Sequence, residues 1–542
     1  MKSVASFLSR ATAANAERKP VNKWLVTISV TFGTLMGAID SSIVNVVVPH
    51  LSGSLGVTVQ EITWVITGFV ISTVVVMPLT GFLARLFGQK RVYLIALVLF
   101  IAGSALCGFA HTLGTLVFFR ILQGLGAGAL QPTEQAILRQ TFPPEEQGMA
   151  MAVFGMAVVL GPAFGPTLGG WIVDNYSWPW IFFINVPIGL LSIVMVTRFV
   201  HEPEDIRQTN MEAAERQKKN MDWLGIGLLV MGLASMQYVL EEGNRDNWFE
   251  SNLIKAVAFI ALFSIILLVI RELSAKMPAV DFSLFRDTAF LSGTLIGAVM
   301  FAMLLSMTFL LPLFMQQMLG FSATQAGMAM MPRSLVMIVA MPIVGRLYNT
   351  ISPRVVIGFG ILLFGYSAWL MGHYTLATGT RDVIIVLSIQ GVAFACLFIP
   401  LTTLALTNIP RARLSDATGM NSLFRQIGGS VGLAVFATLM TRYGTSTHAS
   451  MIGNVSLSRP EAYARLQSIS GSLMARGYDA VAARAAAIRM LDYSVTSQAM
   501  VLAFEKLFFL AGISFITVMP LLLFLKRHRG APTEKIEVHV EM

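Results

Sequence analysis

The chain has 542 residues, of which 55% are hydrophobic and only 12% charged. Soluble globular chains carry about a quarter charged residues, so this composition argues against a soluble enzyme and for an integral membrane protein. The net charge of +9 is scattered between apolar runs and forms no stripe, which points away from nucleic acid and toward the basic loops of membrane proteins.

The first 23 residues are polar and hold Lys2, Arg10, Arg18, Lys19 and Lys23. The apolar run from Trp24 to Val48 is too long for a signal-peptide core and reads as a retained transmembrane helix. Runs near the ~20 residues needed to cross a ~30 Å hydrocarbon core predict fourteen spans. They lie at 24–49, 61–84, 92–110, 114–137, 149–173, 178–199, 222–241, 252–272, 289–318, 324–347, 354–373, 382–408, 417–440 and 504–525. With the N-terminus inside, 25 Lys and Arg fall at cytoplasmic ends and three (Arg245, Lys255 and Arg381) in short outer loops. That excess predicts an inner-membrane protein with both termini cytoplasmic.

The halves echo each other. Gly81-Phe-Leu-Ala-Arg85-Leu-Phe-Gly88-Gln-Lys90-Arg91 ends span two, and Gly345-Arg346-Leu-Tyr-Asn-Thr-Ile-Ser-Pro-Arg354 ends span ten. Gln123-Gly124 in span four is matched by Gln390-Gly391 in span twelve. Such a repeat predicts an all-α fold of two six-helix bundles with a midplane site between them. The predicted parts are a cytoplasmic tail 1–23, a bundle 24–200, a linker with two inserted helices 201–273, a bundle 274–525, and a cytoplasmic tail 526–542. The second bundle includes a long periplasmic segment, 441–503. Within that segment, 479–506 is predicted to be helical. An interfacial helix is the preferred reading, over an outward extension that docks a periplasmic membrane-fusion adaptor.

Chemistry is concentrated in a few charged positions. Asp40 in span one lies deep in hydrocarbon, where burial disfavours ionisation, which makes it a candidate proton carrier; the bland alternative is a structural Asp. In span four Arg120, Gly124, Ala127, Gln131 and Glu134 fall on one helical line, a stripe that must face protein or water. Arg120 and Glu134 are ~21 Å apart along that line and cannot pair. Contact between Asp40 and Arg120 would hold the carboxylate charged, so proximity decides its role. Glu134 is either a second proton or substrate-cation site or a hydrated residue near the cytoplasm. Arg333 and Arg425 also lie inside spans, where a charge is a functional or pairing candidate. Asn45, Gln123, Gln131, Asn421 and Arg425 are the polar residues expected in a substrate cavity. Around Arg425, Asn421, Gly428 and Gly432 also read as a packed polar seam. Gly161, Pro162, Gly165, Pro166, Gly169 and Gly170 form a small-residue seam bent by two prolines.

Cys107 and Cys396 both fall inside apolar runs, so no disulfide, metal or cofactor is predicted. No GxxxxGK[ST] loop argues for an ATP-driven pump, and no nucleophile–base pair argues for an intramembrane enzyme.

These residues together resemble the fourteen-helix drug:proton antiporter branch (EmrB/QacA type) of the major facilitator superfamily, from about residue 24 to 525. The resemblance rests on Asp40-Ser-Ser-Ile-Val-Asn45-Val-Val-Val-Pro49, Arg120-Ile-Leu-Gln123-Gly124-Leu-Gly126, Gly161-Pro162 through Gly170, and Trp180-Ile-Phe-Phe-Ile-Asn185-Val-Pro187-Ile-Gly189. It implies multidrug efflux, with proton coupling at Asp40, proton transfer at Arg120 and antiport geometry at Gly161 to Gly170. It also implies a cytoplasmic gating loop at Gly81, Arg85, Gly88, Lys90 and Arg91. Arg85 stands where the family carries an acid, so the usual gating contact is not expected in its ordinary form. The sequence reading is therefore a proton-coupled exporter of small lipophilic or cationic compounds. A dedicated exporter of one metabolite, such as a siderophore, fatty acid or natural product, is the nearest rival, and a non-transporting membrane sensor is remote.

Overall fold

The computed structural model describes residues 22–202, 214, 221–275, 278–453, 455 and 458–525. Most of the predicted N-terminal tail, the C-terminal tail 526–542 and most of the linker before the seventh helix lie outside them.

Long apolar runs must satisfy every backbone group internally in lipid, so they fold as helices. Among the described residues, fourteen helices are long and apolar enough to cross a membrane. They are α1 (Lys23–Leu55), α2 (Val59–Phe87), α3 (Gln89–Gly108), α4 (Leu113–Thr141), α5 (Pro144–Asn175), α6 (Trp180–Phe199) and α7 (Trp223–Glu242). After them come α8 (Asn252–Ser274), α9 (Thr288–Gln317), α10 (Thr324–Tyr348), α11 (Pro353–Met371), α12 (Thr380–Leu404), α13 (Arg411–Ile452) and α14 (Ala480–Phe524). The bundle has a basic end, where α1 begins and α4 finishes, and an opposite end.

Glycines let the helices approach closely. A Cβ on Gly161 would lie 2.3 Å from the Ala38 carbonyl, and one on Gly165 would lie 2.6 Å from the Ser42 Cβ, so α5 runs against α1. Gly169 continues that seam, whereas Gly170 meets nothing within 4 Å. Pro162 and Pro166 sit within a continuous helix. In the second half the same device recurs. Gly428 abuts the Ala298 carbonyl and Gly432 abuts Ala302, seating α13 on α9. The matched Gln-Gly pairs also correspond: Gly124 meets the Phe69 carbonyl of α2, and Gly391 meets the Arg333 carbonyl of α10.

The inserted pair α7–α8 bridges both halves. Thr67 of α2 donates to Glu242, while Gln237 donates to Ser430 and Trp248 to Thr438 of α13.

One expectation is corrected. Residues 480–516 form no separate interfacial helix; they are the first part of α14, a 37-residue helix N-capped by Asp479. The continuous part of α13 has 39 residues, so each helix is nearly twice the ~30 Å hydrocarbon thickness at 1.5 Å per residue. The pair project together beyond the bundle, with His448 Nε2 3.5 Å from Asp492 Oδ1. A short helix, Pro460–Met474, packs against the projecting part of α14.

Candidate functional site

Asp40 lies at the middle of α1 and is buried, 1% exposed. Arg120 Nη1 donates to its Oδ2 at 2.6 Å, and Gln123 Nε2 donates to Oδ1 at 2.9 Å. Asn185 Nδ2 donates to the same Oδ1 at 2.9 Å and to Ser104 at 3.0 Å. Arg120 is held in turn by the Gln123 side chain at 2.7 Å and the Val65 carbonyl at 3.2 Å. Its guanidinium carbon stands 4.0 Å from the Phe69 ring centroid. A buried pair of charges survives only when its remaining hydrogen-bonding capacity is met, and four helices supply that here. Protonating Asp40 would leave Arg120 without its counter-charge, so a proton on this one atom group changes the electrostatics of the whole cluster.

The predicted stripe on α4 divides into separate environments. Arg120 and Gln123 belong to the Asp40 cluster, and Gln131 is half-buried. Glu134, toward the basic end, is fully buried. Thr31 donates to its Oε1 at 3.0 Å, while Oε2 has no partner among the described residues. Glu134 thus lies inside the bundle, with no side-chain surface open to solvent. Asn45 is exposed and takes no part in the Asp40 cluster. Asn421 and Arg425 are buried beside Gly297 of α9.

The two halves meet at the basic end through matched crossings. Gly81 of α2 packs directly on Asp416 of α13, and Gly345 of α10 packs on Gly148 of α5. Arg85 forms an ion pair with Asp416, and Gln89 donates to Ser415. Arg139 donates to the Thr403 carbonyl at 2.9 Å, tying α4 to α12. Gly88 has φ +83° beside Glu202, a backbone shape that favours glycine. Lys90 donates to the Thr197 carbonyl at 2.8 Å, and Arg91 is exposed.

The Major Facilitator Superfamily profile matches residues 30–433. The chain belongs to that superfamily. Its matched crossings and halves are those of a major facilitator transporter. The chain is 33% identical over 503 residues to the multidrug export protein EmrB of Haemophilus influenzae, spanning 93% of this chain and 95% of that one. It is 32% identical over 509 residues to the EmrB of Escherichia coli strain K12, spanning 94% and 96%. The crystal structure of the human organic anion transporter MFSD10 (TETRAN) superposes with a TM-score of 0.58 at 14% identity, over 94% of this chain and 100% of that one. That likeness concerns the fold alone.

Sequence reasoning missed Asn185 as a site residue, although it stands in the quoted Trp180–Gly189 run; an amide inside an apolar span was the available signal. It also missed Asp416 and Arg139, whose importance appears only where the halves touch.

Proposed function

We propose that this major facilitator transporter is a proton-coupled exporter of small lipophilic or cationic compounds, working by alternating access. The observation that carries the reading is the buried Asp40–Arg120 pair with its Gln123 and Asn185 donors. A proton arriving at Asp40 removes the charge that Arg120 is held by, and the cluster relaxes into a different set of contacts. The glycine seam of α5 on α1 transmits that change, because backbones in direct contact cannot shift independently. The charge bias of the loops supports a cytoplasmic basic end and cytoplasmic termini. On that orientation the basic end is closed to the cytoplasm, and the cycle returns when the Arg85–Asp416 crossing parts.

Glu134 is a second proton site on this reading: buried, half-satisfied, and placed between the Asp40 cluster and the shut end. The energetics suffice. One pH unit supplies ~1.4 kcal/mol per proton and 100 mV ~2.3 kcal/mol per charge. The projecting part of α14, together with the short helix Pro460–Met474 and the turn after it, suits contact with a periplasmic membrane-fusion adaptor, since Ile488 and Tyr493 of α14, Tyr463 of the short helix and Tyr478 of the turn are exposed there.

The relatives named for multidrug export support a broad exporter over a dedicated one. A panel of unrelated dyes in proteoliposomes with an imposed pH gradient tests this directly. Gradient-driven movement of several scaffolds is expected; movement of only one compound class would favour the dedicated exporter.

A further inference from the structure

The two halves treat their membrane-embedded arginines differently. Arg120 has a carboxylate, two polar partners and an aromatic face. Arg333 of α10 and Arg425 of α13 are comparably buried, at 5% and 4% exposure, yet neither forms an ion pair among the described residues. Arg333 Nη2 donates to Thr308 at 2.9 Å and Arg425 Nη2 reaches Ser422 at 3.5 Å. In both, Nη1 is buried without a partner among the described residues. Gln390 of α12 is fully buried, and neither of its polar side-chain atoms has a partner among the described residues. Its neighbour Gly391 lies directly on the Arg333 backbone.

These groups share one wall. Arg425 stands over Phe301 of α9 and Phe398 of α12, at 5.4 and 5.7 Å. Arg333 meets Thr308, seven residues farther along α9 on the same face, a rise of about 10 Å. Phe398 also touches Phe154 of α5, with ring centroids 6.1 Å apart, so the wall borders the seam between the halves. An unpaired buried cation is costly and is tolerated where a partner arrives to neutralise it. The resting protein has two such cations on this wall, flanked by aromatic rings and an amide with unmet capacity.

We infer that Arg333 and Arg425, with Gln390, form a binding ladder for the negatively charged head of a lipophilic organic anion, a carboxylate or sulfonate whose apolar body lies on Phe301 and Phe398. This rests on the export reading but replaces its cationic arm: the preferred substrates are amphipathic anions. Guanidinium donors match oxyanion geometry, and the rings hold the apolar part without demanding one shape. A cation entering here would face two like charges.

The test uses naphthalene-2-sulfonate and 2-naphthyltrimethylammonium, one ring system with opposite permanent charges, neither able to cross as a neutral acid or base. With the full chain in proteoliposomes under a pH gradient, the sulfonate is expected to be driven out and the ammonium to lag. Arg425→Gln and Arg333→Gln should each raise the KM for the sulfonate about tenfold or more, the worth of a lost charge-assisted hydrogen bond. Arg425→Lys and Arg333→Lys should recover most of it. The sulfonate should also raise the melting temperature of the detergent-solubilised wild type and not that of the Gln variants. If a Gln variant fails to fold, competition decides: the sulfonate should inhibit wild-type ethidium efflux, and failure to inhibit overturns the inference. So does a wild type that prefers the ammonium, or Gln variants with an unchanged sulfonate KM. A wild type that drives out ethidium but neither naphthyl probe contradicts the inference alone. One that moves none of the three contradicts the export reading itself.

Discussion

Arg85, in the last turn of α2, is ion-paired with Asp416 in the first turn of α13. Arg85 stands where the family resemblance leads one to expect an acid, and here the acid of the crossing, Asp416, sits on the second half instead. The crossing is preserved all the same, since Gly81 lets the α2 backbone reach Asp416. Removing one partner of a buried pair typically costs ~3–5 kcal/mol. Arg85→Asp or Asp416→Arg alone should therefore weaken the closed basic end and depress transport severely. The double swap should restore at least part of the rate, because it recreates the pair in the opposite sense. Transport by the three variants, with cysteine crosslinking across α2 and α13, checks this; a double variant as inactive as the singles argues that the charges act independently.

Asp40→Asn keeps the shape of the cluster and removes its ability to change charge. Driven efflux should fall to the background of empty vesicles, with a melting temperature lowered by the loss of the counter-charge to buried Arg120 but with the protein still inserted. Substrate binding at fixed pH should persist, as measured by equilibrium binding.

The α5–α1 seam predicts a steric effect. A Cβ at Gly161 falls 2.3 Å from the Ala38 carbonyl, and neither backbone can yield locally. Gly161→Val should abolish transport, whereas Gly170→Ala, with no neighbour within 4 Å, should be near neutral, within ~0.5 kcal/mol in stability.

Outside the spans, Asp281 gives a pH dependence. Burial alone would raise its carboxyl, but hydrogen bonds from Ser283 and the guanidinium of Arg413 outweigh that and hold it below the usual carboxylate value. A depressed carboxylate contributes stability that is fully present above its unfolded value of about 3.9. That contribution is lost as pH falls through the folded value. Melting temperature against pH should thus drop less steeply in acid for Asp281→Asn than for the wild type.

Most of the fold was legible because crossing a bilayer demands apolar length, and each of the fourteen predicted runs is matched by a helix. The far end of α13 was not, because beyond the membrane that helix continues in polar sequence where hydropathy carries no signal; the helix from 479 is legible, and its continuity with the last span is the less favoured of two readings. The N-cap at Asp479 was the local clue. At the site, Asp40 and Arg120 were individually visible as charges in apolar runs. Their contact joins residues 80 apart in sequence and depends on how α1 and α4 pack. Glu134 left two readings open in the sequence, because its burial depends on how the other helices pack at the basic end and not on its own helix.

Substrate-dependent proton movement in proteoliposomes tests the central claim most directly. With a pH-sensitive dye inside and no other driving force, adding a transported substrate should move protons opposite to it, and Asp40→Asn should abolish the signal. Substrate accumulation without proton movement, or an undiminished signal in Asp40→Asn, would contradict the account.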